Sequence, residues 1–122
     1  MATLISYTKA VVDFRVKRND TFRKKIEFNN KIAGVITPDD ITASVFKVRI
    51  STKPDEGLTI KELTAGAGLS FESTNKLVMT IPAAEMNIAA GTYYYDVQRT
   101  YPDGTVVTRP EGRFIVDADI TL

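Results

Sequence analysis

Apolar and polar positions alternate with a period of two along most of the chain, the signature of half-buried β-strands. Val12, Phe14 and Val16 alternate with Asp13, Arg15 and Lys17; after an Asn19-Asp20 turn, Phe22, Ile26 and Phe28 take one parity and Arg23, Lys25 and Glu27 the other. These two runs predict a β-hairpin. Lys24 falls on the apolar side, which is tolerable on an edge strand where an inward lysine discourages foreign pairing. Between Asn29 and Thr42 the alternation lapses into turn and breaker residues, predicting a long connection that crosses between sheets. Phe46, Val48 and Ile50 then face one way and Val45, Lys47, Arg49 and Ser51 the other, closed by turn chemistry from Lys53 to Gly57.

A short strand from Leu58 to Leu63 follows, then a Gly66-Ala67-Gly68 loop and a second hairpin-like pair, Leu69 and Phe71 against Leu77, Met79 and Ile81. Pro82 to Asn87 is the helix-compatible piece, with proline at a first-turn position. The final third predicts a tyrosine-rich strand from Gly91 to Thr100, a Tyr101-Pro102-Asp103-Gly104 turn and a returning strand to Val116. Pro110 and Gly112 interrupt that return, as an edge or a bulge does. Seven or eight short strands at spacings of about ten residues predict an all-β antiparallel sandwich with one short helical turn. Residues 11–122 form that single sandwich, and residues 1–10 an arm outside it. Leu4, Ile5 and Tyr7 of the arm must fold back or dock on a neighbour, because each gains on the order of 1.5 to 3 kcal/mol on full burial.

Composition narrows the chemistry. The chain of 122 residues contains no cysteine, histidine or tryptophan. A Ser-His-Asp or Cys-His set cannot be built without histidine, nor an ordinary zinc site without histidine or cysteine. A carboxylate mechanism, an oxygen-ligated cation or no chemistry at all remain. The start of the chain lacks the basic cluster and apolar run of a signal peptide, and no stretch has the length of a membrane span. Charge is uneven: residues 9–31 carry eight basic and three acidic groups, a surplus of five in a chain whose net charge is +1. Such asymmetry can steer copies head to tail or toward an acidic partner. The plainer reading is a solvated outer sheet face.

Each candidate site has a structural alternative. The glycines at 66, 68, 91 and 104 do not precede a helix, so they supply turn geometry rather than a phosphate cradle. The acids are scattered one per strand or turn, unlike the facing pair of a glycosidase. Asp39-Asp40 and Asp117 with Asp119 lack the spacing of a calcium loop. Arg15, Lys17, Arg23 and Lys25 are expected on one outer hairpin face that could touch phosphates. Phe14, Phe22 and Phe28 lie on the opposite parity, however, so the aromatic interleaving of a nucleic-acid platform is missing. Tyr93, Tyr95 and Val97 share the core parity, leaving Tyr94 outward beside Asp96 and Gln98. Tyr94, with Tyr101, could stack on a sugar; cross-strand packing or a protein contact is the alternative. Tyr93, just after a crossover, is placed to hydrogen-bond back to the chain as Greek-key tyrosine corners do.

Two stretches carry a resemblance. Val12 to Phe22, a strand, an Asn-Asp-Thr turn and a strand, is similar to the opening of the immunoglobulin-like domains at the N-terminus of phage baseplate upper proteins and related tail proteins. Gly91 to Gln98, Pro102 to Thr108 and Glu111 to Val116 resemble the closing hairpin of those domains, with Phe46 to Ile50 at the central strand. The likeness spans residues 11–116 and consists of strands and turns. It implies an immunoglobulin-like sandwich and a non-enzymatic virion structural protein, made in the cytoplasm of a bacterial host. No catalytic, cofactor or metal residue is carried over. Expected partners are other virion proteins and copies of the chain, met through Leu4, Ile5, Tyr7, Arg15, Lys17, Arg23, Lys25 and Tyr94. In baseplate upper proteins further segments lead on to receptor-binding proteins, whereas this chain stops at Leu122. That favours a small adaptor, a tail or head accessory, or a decoration protein over direct host recognition, with a tail or baseplate adaptor or accessory protein as the leading expectation. A carbohydrate-binding or adhesive module and a capsid decoration protein are the alternatives, with nucleic acid and membrane not expected as partners.

Overall fold

The alternating segments become strands, and where their apolar parity meets determines how they stack. The computed structural model describes residues 13–53 and 57–118. The described strands are β1 (Phe14–Lys17), β2 (Phe22–Glu27), β3 (Asn29–Ile32), β4 (Val35–Pro38), β5 (Val45–Ser51), β6 (Thr59–Ala65), β7 (Gly68–Ser73), β8 (Lys76–Ile81), β9 (Gly91–Thr100) and β10 (Val106–Asp117). One 3-10 turn, Ala83–Glu85, lies in the helix-compatible stretch. Eight strands form one sheet in the order β1-β10-β9-β5-β6-β7-β8-β2, and β3-β4 make a separate two-stranded ribbon.

The long sheet folds over on itself. Its terminal strands β1 and β2 bring the Phe14 and Phe22 rings to 5.7 Å, and Phe22 meets Phe114 edge-on at 5.0 Å. The fold line lies between β6 and β7, which share a short parallel contact at Thr64↔Gly68 and Ala65↔Leu69. Gly68 makes the corner: its φ is +103°, and a Cβ there would sit 2.6 Å from Leu63 Cδ2. The resulting layers, β1-β10-β9-β5-β6 over β7-β8-β2, enclose Phe46, Val48 and Ile50 of β5, Leu77, Met79 and Ile81 of β8, and Tyr95 and Val97 of β9. The parities read from the sequence for these segments are the ones buried, with three departures: Phe71 is exposed, Val78 is buried beside Leu77 and Met79, and Ser51, read as outward, is buried where the β5–β6 register shifts. The protein is an all-β, immunoglobulin-like sandwich whose ladders are antiparallel except for β1–β10 and the β6–β7 corner.

Two local expectations change. The segments around Phe14 and Phe22 share a tight turn, where the Asp20 N–H donates to the Lys17 carbonyl at 3.1 Å and Asn19 has φ +68°. They are not a hairpin: β1 pairs with β10 and β2 with β8. Both strands carry an inward phenylalanine, and crossing between layers lets those rings face each other through the core. The connection from Asn29 to Thr42 does cross between layers, yet it contains the β3–β4 ribbon. Other expectations are met directly. β7–β8 and β9–β10 are antiparallel neighbours, and the β10 register shifts between Thr108 and Glu111, a bulge at the expected proline.

The Tyr93 hydroxyl donates to the Ala89 carbonyl at 2.6 Å, four residues back across the turn into β9. This tyrosine corner ties the crossover to the strand. Tyr93→Phe is expected to lower stability by about 0.5 to 1.5 kcal/mol, while Tyr94→Phe, on the outward parity, costs much less. Urea denaturation midpoints check this; equal small losses would contradict the corner's role.

Candidate protein interface

The inward parity of β9 runs Tyr93, Tyr95, Val97 and then Arg99, so a guanidinium occupies a core position and is only 4% exposed. Such a group needs partners, since an unpaired buried charge is costly. Its Nη1 and Nη2 donate to the two oxygens of Asp39 at 2.5 and 3.3 Å, and its Nε donates to Ser44 Oγ at 2.9 Å. Aromatic rings enclose it, with Tyr101 centred 4.2 Å away and Phe28 and Phe46 each 5.8 Å away. Cation–π attraction adds to the ion pair there. Asp39 directly follows β4, and its N–H donates to the Phe28 carbonyl at 3.0 Å. Arg99 thus clasps the root of the ribbon, the entry to β5 and the exit of β9.

The ribbon is closed by Ala33 and Gly34, both with positive φ (+51° and +81°), the backbone of a two-residue primed turn that suits strand twist. Its strands pair only with each other among the described residues, with Ile32 opposite Val35 and Asn29 opposite Pro38. Val35 and Ile36 are 60% and 50% exposed. Being consecutive in a strand they point to opposite faces, so the ribbon shows apolar surface on both.

A second apolar group lies at the same end. Val45, Thr100 and Val106 are direct cross-strand neighbours on the outer face, and Val45 and Val106 are 67% and 52% exposed. Val107, in register with buried Arg99 and Phe46, adds apolar surface on the inner side of the rim. β1 accompanies β10 only from Phe114 to Asp117, so Val106 to Thr108 have β9 on one side and no strand among the described residues on the other. Asp40 and Asp103 rim this end. Bonds from Thr42 and Thr105, respectively, hold their carboxyls below the ordinary range, so both stay charged into mild acid.

Elsewhere the outer face is locally neutralised. Arg113 donates to Asp13 through Nε and Nη2 at 3.1 and 2.7 Å, and Arg15 bridges to Asp117 at 2.8 Å. Each hydrogen-bonded guanidinium lowers its carboxylate's pKa. Asp96 is different. It sits in a row with Glu111, Arg49 and Glu62 across β10, β9, β5 and β6. Burial raises its pKa, Arg49 opposes the rise and Glu111 adds to it. A groove of about 430 Å³ runs between the β6–β7 corner and the 3-10 turn, bridged by the Lys61–Glu85 ion pair.

The basic residues expected on one hairpin face are separated. Arg15 and Lys17 lie on β1 and Arg23 and Lys25 on β2, at opposite ends of the sheet order, and Lys25 is paired with Glu72 at 2.5 Å. The cause is the layer crossing between β1 and β2. Tyr94 is half-buried on the outward parity of β9, as its position predicts. Tyr101 lies against Arg99 and is seven residues farther on, about 23 Å along an extended chain, so the two do not make one stacking platform. Leu4, Ile5, Tyr7 and Asp119 lie outside the described residues, while Asp117 and Asp39 are engaged by arginines. No group of three or more potential metal-ligating side chains converges among the described residues. The sequence reading missed Arg99, although its place on the parity of Tyr95 and Val97 signals a buried charge in search of a partner.

No family model matches the sequence, and no curated protein does. Among solved structures, the chain is similar to CopC from Methylosinus trichosporium OB3b at TM-score 0.52 and 17% identity, covering 97% of this chain and 99% of that one. It is also similar to murine CRIg, at TM-score 0.42 and 15% identity, covering 94% and 97%. The first likeness is one of fold. Fold and surface together define an immunoglobulin-like β-sandwich with an apolar, ribbon-bearing end.

Removing Arg99 strands Asp39 in the interior, so Arg99→Met should cost about 3 to 5 kcal/mol. Arg99→Met combined with Asp39→Leu should cost less than Arg99→Met alone; a double variant as unstable as the sum of its parts would contradict the pairing. Asp96 gives a pH signature. With its folded pKa above the unfolded value, its contribution to stability is fully present below the unfolded pKa and lost as pH rises through the folded one. Asp96→Asn should therefore raise the denaturation midpoint at pH 7 and leave it unchanged near pH 3. A midpoint lowered at pH 7 would contradict the burial penalty.

Proposed function

We propose that the chain is a non-enzymatic structural subunit of a bacteriophage virion, a tail or baseplate adaptor or accessory protein working through protein–protein contacts. The observation that carries the contact role is the apolar end of the sandwich, where Val45 and Val106 stand exposed beside a ribbon with apolar residues on both faces. Clustered exposed apolar surface with a charged rim marks interaction sites. From Val106 to Thr108, β10 has no strand on its outer side among the described residues, an edge that a partner strand can pair with. The virion setting rests on the resemblance of residues 12–22, 46–50, 91–98, 102–108 and 111–116 to phage immunoglobulin-like domains. A carbohydrate-binding role has less support, since Tyr101 is taken up by Arg99 and Tyr94 is half-buried.

Mass spectrometry of purified particles from the phage or prophage that carries the gene tests the reading. The chain should be present in stoichiometric ratio to other structural proteins. Deleting residues 1–10, with Leu4, Ile5 and Tyr7, should reduce incorporation while leaving the strand-type circular dichroism unchanged. Absence from particles would overturn the proposal. So would micromolar binding to a glycan panel that Tyr94→Ala removes, or salt-sensitive DNA binding that serine at positions 15, 17, 23 and 25 removes.

A further inference from the structure

We infer that the β3–β4 ribbon is an exchange arm: two copies of the chain associate by each laying its ribbon on the other's Val45–Val106 surface. This deepens the assembly reading and rests on its premise that the apolar end is an interface.

The ribbon is poorly suited to standing alone. A two-stranded hairpin is at best marginally stable in water, and this one exposes Val35 and Ile36 on opposite faces. It is nevertheless held at a fixed root, because Asp39 is locked to Arg99 in the interior. A preorganised arm loses less freedom on docking than a floppy one. Among the described residues, no other strand pairs with the outer edges of the ribbon or with β10 from Val106 to Thr108, so strand addition can join the two.

Geometry favours a second copy as the occupant. Ribbon root and receiving surface adjoin through the Asp39–Arg99–Ser44 clasp, so a two-fold axis lets each ribbon cover the other copy's valines in a closed, self-complementary contact. Four residues per strand make a ribbon about 13 Å long. Reciprocal docking doubles the area it buries, toward the roughly 1,000 Å² that a specific interface requires.

Sedimentation of the full chain should show a dimer at concentrations on the order of 10 to 100 µM that dissociates on dilution. Val35→Asp with Ile36→Asp, and separately Val45→Lys with Val106→Lys, should each weaken association roughly tenfold or more. These positions are exposed, so circular dichroism should be unchanged. Mixing the acidic ribbon variant with the basic surface variant should restore association, which a folding defect in either could not do. Because the chain has no cysteine, Ile36→Cys with Val106→Cys should oxidise to a covalent dimer while each single variant should not cross-link by this route. A wild-type chain that stays monomeric over this range overturns the exchange, as does association indifferent to both pairs of charges. A monomer that is still found in particles overturns the exchange and leaves the assembly reading standing. A dimer missing from particles supports the exchange and removes the virion setting.

Discussion

An ion pair sits where the core of this sandwich would ordinarily end in hydrocarbon. Arg99 and Asp39 have side chains only 5% and 7% exposed, and burying them separately would cost several kcal/mol each. They are tolerable because each satisfies the other and three aromatic rings close over the guanidinium. The pair's contribution is chiefly positional, since well-packed apolar residues of similar volume can serve a core as well as a buried ion pair does. What apolar residues could not supply is direction: a forked donor fixes one carboxylate, and that carboxylate begins the segment leaving the ribbon. The ribbon, the start of β5 and the turn after β9 are thereby placed relative to one another.

Period-two patterning told which side chains face inward, and it did so well for Phe46, Val48 and Ile50 and for Leu77, Met79 and Ile81. It could not tell which strand lies beside which. Phe14 and Phe22 have the inward parity whether their strands pair with each other or face each other across the core, and the short turn between them fits both arrangements. The ribbon was hidden for another reason: Ala33-Gly34 is a weaker hairpin signal than Asn-Gly, and Asn29-Asn30 and Pro38 read as loop. Arg99 was legible in principle. It continues the Tyr93, Tyr95 and Val97 series, and a charge at an inward position calls for a partner. Asp39, in a run of loop residues, carried no such mark.

The charge surplus near the start of the chain did not become a basic face. Arg15 is neutralised by Asp117, Lys25 by Glu72, and the crossing between β1 and β2 carries the remaining basic groups to opposite ends of the sheet order. What the surface retains at one end is apolar: two valines flanking Thr100, a third around the rim and two more residues on the ribbon. Elsewhere on the sheets several charged side chains are paired with close neighbours, as Asp13 is with Arg113. That contrast is the basis for proposing this end as the interface.

Amide hydrogen exchange across residues 29–38, measured at low and high protein concentration, tests this most directly. In dilute solution the ribbon amides should exchange faster than those of β5 and β9, because few buried contacts protect them. At high concentration they should slow markedly, together with the amides of Val106 to Thr108, while β8 is unaffected. Ribbon amides that exchange at the same rate at both concentrations would contradict the claim that this end of the sandwich is an interface.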